Sequence, residues 1–264
     1  MARIIGGALM GKVKIAAFVS ALSVLIAVAS AAQMLETETA RLLPAHWWKV
    51  GNAFEFQTSS EGTEAAVPIA IEYGLTSRLE LLVEPVPYTA IRPNAGRHAV
   101  GVGDVEATLT ALVGHETPSM PAFAVAAEIK FPTAHDSLIG SGEPDYTGYV
   151  IASKRLGQFD THVNLAYTVV GRQDNEQLNN IVSFAVAGVY RPTTKLQLFG
   201  EVLGNTGAIP GSESSTTPEV AGGELSGTLG AGRDMGMGVL LYCAVSYDNN
   251  NAVLIRPGLT WRFH

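Results

Sequence analysis

The stretch whose reading decides the fold is VLIRPGLTWRF, Val253 to Phe263, apolar at nearly every second position up to an aromatic next to the last residue. Val253, Ile255, Leu259, Trp261 and Phe263 fall on one face of an extended strand. Leu254, Arg256, Gly258, Thr260 and Arg262 fall on the other. Such a strand separates an apolar medium from a more polar one. A soluble sandwich strand shares that alternation, so the choice between sandwich and membrane barrel rests on the rest of the chain.

Eleven further segments read as strands: 47–58, 65–73, 78–88, 103–113, 122–131, 146–156, 159–170, 180–191, 195–204, 223–233 and 237–247. Their lengths suit tilted membrane strands of ~9 to 11 residues. The connectors fall into two sets. GLTS (74–77), GHETPSMP (114–121), GQ (157–158), PTT (192–194) and DMG (234–236) are compact, whereas 89–101, 132–145, 172–179 and 205–222 are longer and polar. Short turns at one end and long loops at the other are what an outer-membrane barrel shows, with the turns on the periplasmic side. The brief first and last outer loops, SSEGTE and DNNNA, run against the pattern. The last strand also resembles the closing strand of bacterial outer-membrane barrels, which ends in an aromatic behind alternating apolar residues. Trp261 and Phe263 are then the expected assembly signal, with His264 as an overhang.

The faces agree along the chain. Val163, Leu165, Tyr167 and Val169 alternate with His162, Asn164, Ala166 and Thr168, and Phe123, Val125, Ile129 and Phe131 oppose Glu128 and Lys130. By parity the inner face collects Glu72, Arg78, Glu80, Glu84, Asp104, Glu106, Glu128, Lys130, Lys195, Glu201, Glu224, Arg256 and Arg262 as candidate lumen-lining residues. On the lipid face a midplane Arg or Lys would cost roughly 2 to 4 kcal/mol. Charges there either brace a narrow barrel or select solutes, and the excess of carboxylates disfavours anions. Tyr73, Tyr88, Tyr167, Tyr190 and Tyr247 sit near strand ends, where aromatic girdles form. Pro68 and Pro257 require locally unpaired or bulged positions, while Pro85 and Pro87 read as the point where the third strand leaves the membrane.

At the amino end, Arg3, Lys12 and Lys14 precede an apolar run from Ile15 to Val28, followed by Ala29-Ser30-Ala31. This reads as a cleaved signal peptide over 1–32, with an uncleaved membrane helix over Ile15–Ala32 as its competitor. Cleavage leaves a mature chain of about 230 residues, enough for one β domain. The domain reading is thus signal peptide 1–32, an N-terminal periplasmic segment 33–46 in which Leu35–Leu43 forms a short helix stopped by Pro44, and a barrel over 47–264. Losing three positive charges takes the net charge from -7 to -10, which argues against nucleic acid as a partner. The single cysteine, Cys243, excludes an internal disulfide and reads as an apolar-face filler.

Catalytic constellations are sparse. His162 and Asn164 invite comparison with the outer-membrane phospholipases, whose site pairs a His with a Ser two residues on, on the lipid-facing side; here Asn164 holds that place on the polar face. His115 and His135 fall in connectors without metal-ligand spacing, and the runs GVGD (101–104) and GAGRDMGMG (230–238) lack the helix and GK[ST] of a phosphate loop. No enzyme activity, cofactor or metal is expected.

Five segments, ETETARLLP (36–44), IEYGLTSRLELLVEPVPY (71–88), GVGDVEATL (101–109), EIKFPTA (128–134) and RPGLTWRF (256–263), together resemble the outer-membrane β-barrel family named for a MetA pathway of phenol degradation, the "transporter" family. Ala134 stands where that family commonly has Gly. The resemblance implies an outer-membrane barrel taking up small aromatic or hydrophobic compounds and assigns no residue a substrate role. The resulting expectation is an all-β, closed antiparallel transmembrane barrel of about twelve strands in a Gram-negative outer membrane. Its expected partners are outer-membrane lipid, the barrel-assembly machinery and a small-molecule solute of unknown identity. The alternatives are a structural or adhesion barrel without transport, a lipid-acting outer-membrane enzyme and, architecturally, a soluble periplasmic β protein.

Overall fold

The computed structural model describes residues 34–172, 178–208 and 223–264. The signal-peptide reading and most of the longest predicted outer loop lie outside them. Sixteen strand segments form one antiparallel sheet: β1 (Trp48–Ala53), β2 (Glu55–Thr58), β3 (Gly62–Ala66), β4 (Ile69–Gly74), β5 (Leu79–Pro85), β6 (Thr89–Pro93), β7 (Ala99–Gly101), β8 (Val105–Gly114), β9 (Ala122–Phe131), β10 (Asp145–Leu156), β11 (Phe159–Val169), β12 (Ile181–Tyr190), β13 (Leu196–Asn205), β14 (Leu225–Gly236), β15 (Val239–Asp248) and β16 (Val253–Phe263). The first four barrel staves are each broken in two, β1 with β2, β3 with β4, β5 with β6 and β7 with β8, so the segments make twelve staves. The sheet closes on itself because β16 pairs with both β1 and β2, from Trp48 opposite Phe263 to Thr58 opposite Val253. Closure gives every stave two neighbours, which a bilayer demands of any β structure that crosses it.

The breaks follow from proline chemistry. Pro257 accepts the Phe54 N–H at 3.0 Å but has no N–H to return, and Pro68 accepts the Ala53 N–H at 3.2 Å with the same defect. The two prolines predicted to be unpaired therefore flank one point of the first stave. The interruption continues across the wall through single bonds from Val67 to Tyr88 (2.9 Å) and from Gly103 to Val86 (2.8 Å). Pro87 lies in the gap of the third stave, which resumes as β6 instead of ending there. The stretch 89–101, expected as a loop, is accordingly a hairpin of β6 and β7 in register from Thr89 opposite Gly101 to Ile91 opposite Ala99.

Outward side chains are apolar along the staves. Leu109, Val125, Val150, Leu165, Val186, Val202, Val245 and Ile255 are exposed, and Leu229 is 74% exposed. A continuous apolar surface of this kind is covered by lipid, not water. Cys243 faces outward on the same parity as Leu241 and Val245. Aromatics collect at the ends of the belt: Trp48 against Tyr73 (ring centroids 4.3 Å apart), Phe159 stacked on Tyr190 (4.6 Å) and Trp261 beside Phe263 (4.4 Å) at the turn end, with Tyr146, Tyr167 and Tyr247 exposed at the loop end. At the loop end, Ile91 and Ala99 pack against Leu138 and Ile139 of the connector 132–144. Arg97 grips Asp136 there through two hydrogen bonds of 2.6 Å, which hold the Asp136 carboxyl below its usual range.

The chain 34–46 is not helical. A nine-residue helix is marginal in isolation, and here its backbone donors are taken by the barrel wall. Thr37 N–H binds Glu201 at 2.6 Å, Glu38 N–H binds Asn164 at 2.6 Å, Ala40 N–H binds Ser153 at 2.9 Å, and Leu43 N–H binds Glu80. All four acceptors point inward, so the segment runs through the lumen as an extended strap. It joins the barrel at the turn end, where His46 N–H binds Gly74.

Gly258 sits on the closing stave with its missing side chain directed at the Tyr242 ring, and an added Cβ would lie 2.4 Å from the ring carbon Cζ. Overpacking of this kind costs about 1 to 3 kcal/mol. Gly258→Ala is expected to lower the temperature at which the closed barrel loses its heat-modifiable mobility on a detergent gel; an unchanged transition would show that Tyr242 yields freely.

Candidate functional site

The inner wall is built by the residues of alternate parity, and the strap divides what they do. At the turn end Arg41 bridges Asp160 (2.7 Å) and Glu116 (2.6 Å), fastening the strap to β11 and to the connector 114–121. The hydrogen bonds from Arg41 and from the Arg155 backbone hold the Glu116 carboxyl below its ordinary value. Asp160 also receives Arg155 (2.8 Å) and faces Arg191 at 3.5 Å. Ala40 packs on Ala122, Ala124 and Ile151, and Leu35 on Val189, Phe199 and Tyr242, so small and large apolar residues of the inner face serve as its seats. Above them Arg256, only 1% exposed, carries Glu36 on one nitrogen at 2.6 Å. Its Nε lies 2.6 Å from Glu55, a charge contact without an aligned hydrogen bond. Burying such a group is tolerable only because two carboxylates share it.

The predicted lining residues separate into five sets by their place in the barrel. Glu72 pairs with Lys49 at 2.6 Å, Glu80 and Glu201 accept strap N–H groups, and Arg256 holds Glu36, so these four brace the barrel and its strap. Asp104 lies in the break between β7 and β8 and accepts the Ala134 N–H at 2.9 Å, steadying the loop-end connector. Arg78, Lys195 and Arg262 are exposed at the turn end, outside the lumen; Arg262 lies over the Trp47 ring at 5.4 Å. The short turns 75–78 and 191–195 take Arg78 and Lys195 out of the strands, which strict parity cannot foresee. Glu224 lines a small pocket of about 30 Å³ near the loop end with Glu36 and Asp248.

Glu84, Glu106, Glu128 and Lys130 come together. They line a cavity of about 160 Å³ between the strap and the loop-end half of the wall. Lys130 is paired with Asp145, and Glu128 accepts Thr108 (3.0 Å) and Tyr149 (3.1 Å). Across the cavity stand Ala166, Ile181, Ala185 and Leu203. Sequence reasoning missed Glu36 and Glu38, which the strap carries into this space, Asp145, which reads as the end of the connector 132–145 but opens β10, and Asp160, whose inward parity was readable. It also missed the contact of Ser153 Oγ with His162 Nδ1 at 2.9 Å. Ser153 also receives the strap's Ala40 N–H, and the Asn164 amide is spent on the Glu38 backbone at 2.6 and 2.9 Å. Among the described residues no group of three or more His, Cys, Asp or Glu converges as a metal site.

Solved structures share this architecture. The COG4313 outer membrane channel from Pseudomonas putida F1 aligns with a TM-score of 0.64 at 14% identity, covering 85% of this chain and 98% of that one. The fold is that of an outer-membrane barrel. The NanC porin aligns at 0.57 with 10% identity over 80% of this chain and 98% of that one, and the KdgM porin at 0.50 with 12% over 81% and 99%. No family model and no curated protein matches the chain. The expectation that the chain has no enzyme activity is withdrawn. Its structural matches reach OmpT of Vibrio cholerae, an outer membrane protein, at 9% identity and a TM-score of 0.41, and likeness at that distance establishes neither catalysis nor its absence.

Arg256→Met leaves Glu36 and Glu55 buried without their cation, a loss of about 3 to 5 kcal/mol. The expected outcome is a lower melting temperature together with protease cleavage within 34–43. Arg256→Lys, which keeps the charge but not the fork, should fall between. Equal protection of the strap in all three proteins would show that its other contacts hold it without the Arg256–Glu36 pair.

Proposed function

We propose that the protein resides in the outer membrane of a Gram-negative cell, exported through a cleaved signal peptide, and works as a channel or transporter for small molecules. The observation that carries this reading is the lumen itself: a cavity of about 160 Å³ with carboxylates on one side and apolar side chains on the other, alongside a strap bound to the wall largely by hydrogen bonds and ion pairs. Such contacts exchange readily with water, so a strap of this kind can withdraw without exposing a large apolar core. The fold shared with an outer membrane channel and two porins supports the same reading. The resemblance to the family of the MetA pathway of phenol degradation suggests aromatic or hydrophobic solutes.

Solute entry into liposomes tests it. The intact protein should pass small aromatic or polar solutes slowly, and removal of 34–43 should raise the rate several-fold. Failure of both proteins to pass any such solute would sink the transport reading. It would favour a structural or adhesion barrel, which the filled lumen also suits.

Trp261 and Phe263 are proposed as the segment read by the barrel-assembly machinery. Phe263 lies opposite Trp48 at the closing seam, and His264 only edges the Trp47 ring at 5.7 Å. Phe263→Ser should reduce the yield of heat-modifiable barrel in membranes more than deletion of His264, and equal yields would remove the assignment.

A further inference from the structure

The cavity between strap and wall has an electrostatic peculiarity that bracing does not account for. Glu84 on β5 and Glu106 on β8 are direct register partners on the inner face. Like charges set opposite each other across two strands repel. Glu128 on β9 extends the acidic wall by one stave, and the strap adds Glu38, whose own backbone is fixed to Asn164. Lys130 stands opposite Glu106 across β8 and β9, but its ammonium is paired with Asp145, and the other inward cations are paired too: Lys49 with Glu72, Arg256 with Glu36 and Glu55, and Arg41 with Asp160 and Glu116. Glu84 is only 6% exposed, and no protein donor reaches its Oε1. A buried carboxylate oxygen without a partner is costly, and in a cavity wall it marks a place for a ligand donor.

We infer that this cavity is a binding site for a small organic cation, an ammonium carried on a compact apolar body, with the ammonium between Glu84 and Glu106 and the body against Ile181 and Leu203. The charge is set by the carboxylates and the body by the wall that faces them. The size follows from the cavity, since about 150 Å³ of enclosed space holds a benzene-sized body. An inorganic ion fits less well, because the carboxylates spread along the wall and do not converge at ligand distances among the described residues. The inference rests on the proposed transport role and narrows it, naming the class of solute that the lumen holds.

Benzylammonium is a suitable probe, with benzyl alcohol and benzoate as neutral and anionic matches of similar size. Calorimetric titration of the full-length protein in lipid nanodiscs should show saturable benzylammonium binding, tighter than benzyl alcohol by about tenfold or more, and none for benzoate. Glu84→Gln and Glu106→Gln, separately and together, should weaken benzylammonium by about tenfold and leave benzyl alcohol unchanged. Both replacements keep shape and are checked by heat-modifiable mobility; the comparison of the three probes on the unaltered protein needs no variant. Equal affinity for amine and alcohol, no effect of either Gln, or calcium or potassium binding in preference to benzylammonium would each overturn the inference. Liposome entry of neutral solutes without amine binding would remove this site and leave transport standing. Amine binding without entry of any solute would do the reverse.

Discussion

Every feature of the molecule depends on pairing the backbone of β16 with that of β1 and β2. In lipid an unpaired peptide group costs several kcal/mol, so an open sheet could not hold this position however apolar its outer face. The closing stave must satisfy that demand while carrying Pro257, which cannot donate. The wall accommodates the missing donor by letting the first stave break at Phe54 and by carrying the interruption across to Val102–Asp104. Because the defect runs from stave to stave at Pro257, Pro68 and Pro87, it interrupts the ladders once instead of scattering orphaned groups through the barrel.

Closure also creates the enclosed space in which buried charge becomes affordable. Inside a ring of twelve staves each inward carboxylate can meet a partner from another stave or from the strap, and most do. Glu201, Glu80 and Asn164 bind the strap through its backbone, and Asp160 and Arg256 bind it through its charged side chains. The strap thus completes the hydrogen bonding of a wall too polar to be left dry. The wall in turn supplies the partners that a nine-residue segment cannot find within itself.

The fold was legible because two-residue periodicity survives in each stave and because turn and loop lengths differ systematically. The stave count, the fifth and twelfth strands and the inward parity of Glu84, Glu106, Glu128 and Arg256 all follow from that. The hairpin 89–101 was missed because Pro85 and Pro87 read locally as an end, and only the neighbouring staves show the strand resuming. The helix over 35–43 was misread because its periodicity describes seats on a wall: Leu35 and Ala40 face different apolar patches of the barrel, not one helix face. The limited width of a twelve-stranded barrel lets the segment before Trp47 contribute to a plug, but no local pattern assigns Glu36 and Glu38 to positions in the lumen. Arg78 and Lys195 were placed there by a parity that stops where the turns begin, and Arg262 by a parity that holds to the end of β16 but runs out past the rim of the lumen.

The strap's backbone attachment has a consequence for how the chain can vary. Wall side chains grip its peptide groups, which every residue but proline offers alike. Drift within 34–43 is therefore tolerated wherever a side chain neither seats in an apolar patch, as Leu35 and Ala40 do, nor carries a paired charge, as Glu36 and Arg41 do, nor donates to the wall, as the Thr37 hydroxyl does to Glu201. The wall has no such latitude. A chain of this design would keep Glu201, Asn164, Ser153 and Glu80 even where single positions of its lumen segment changed.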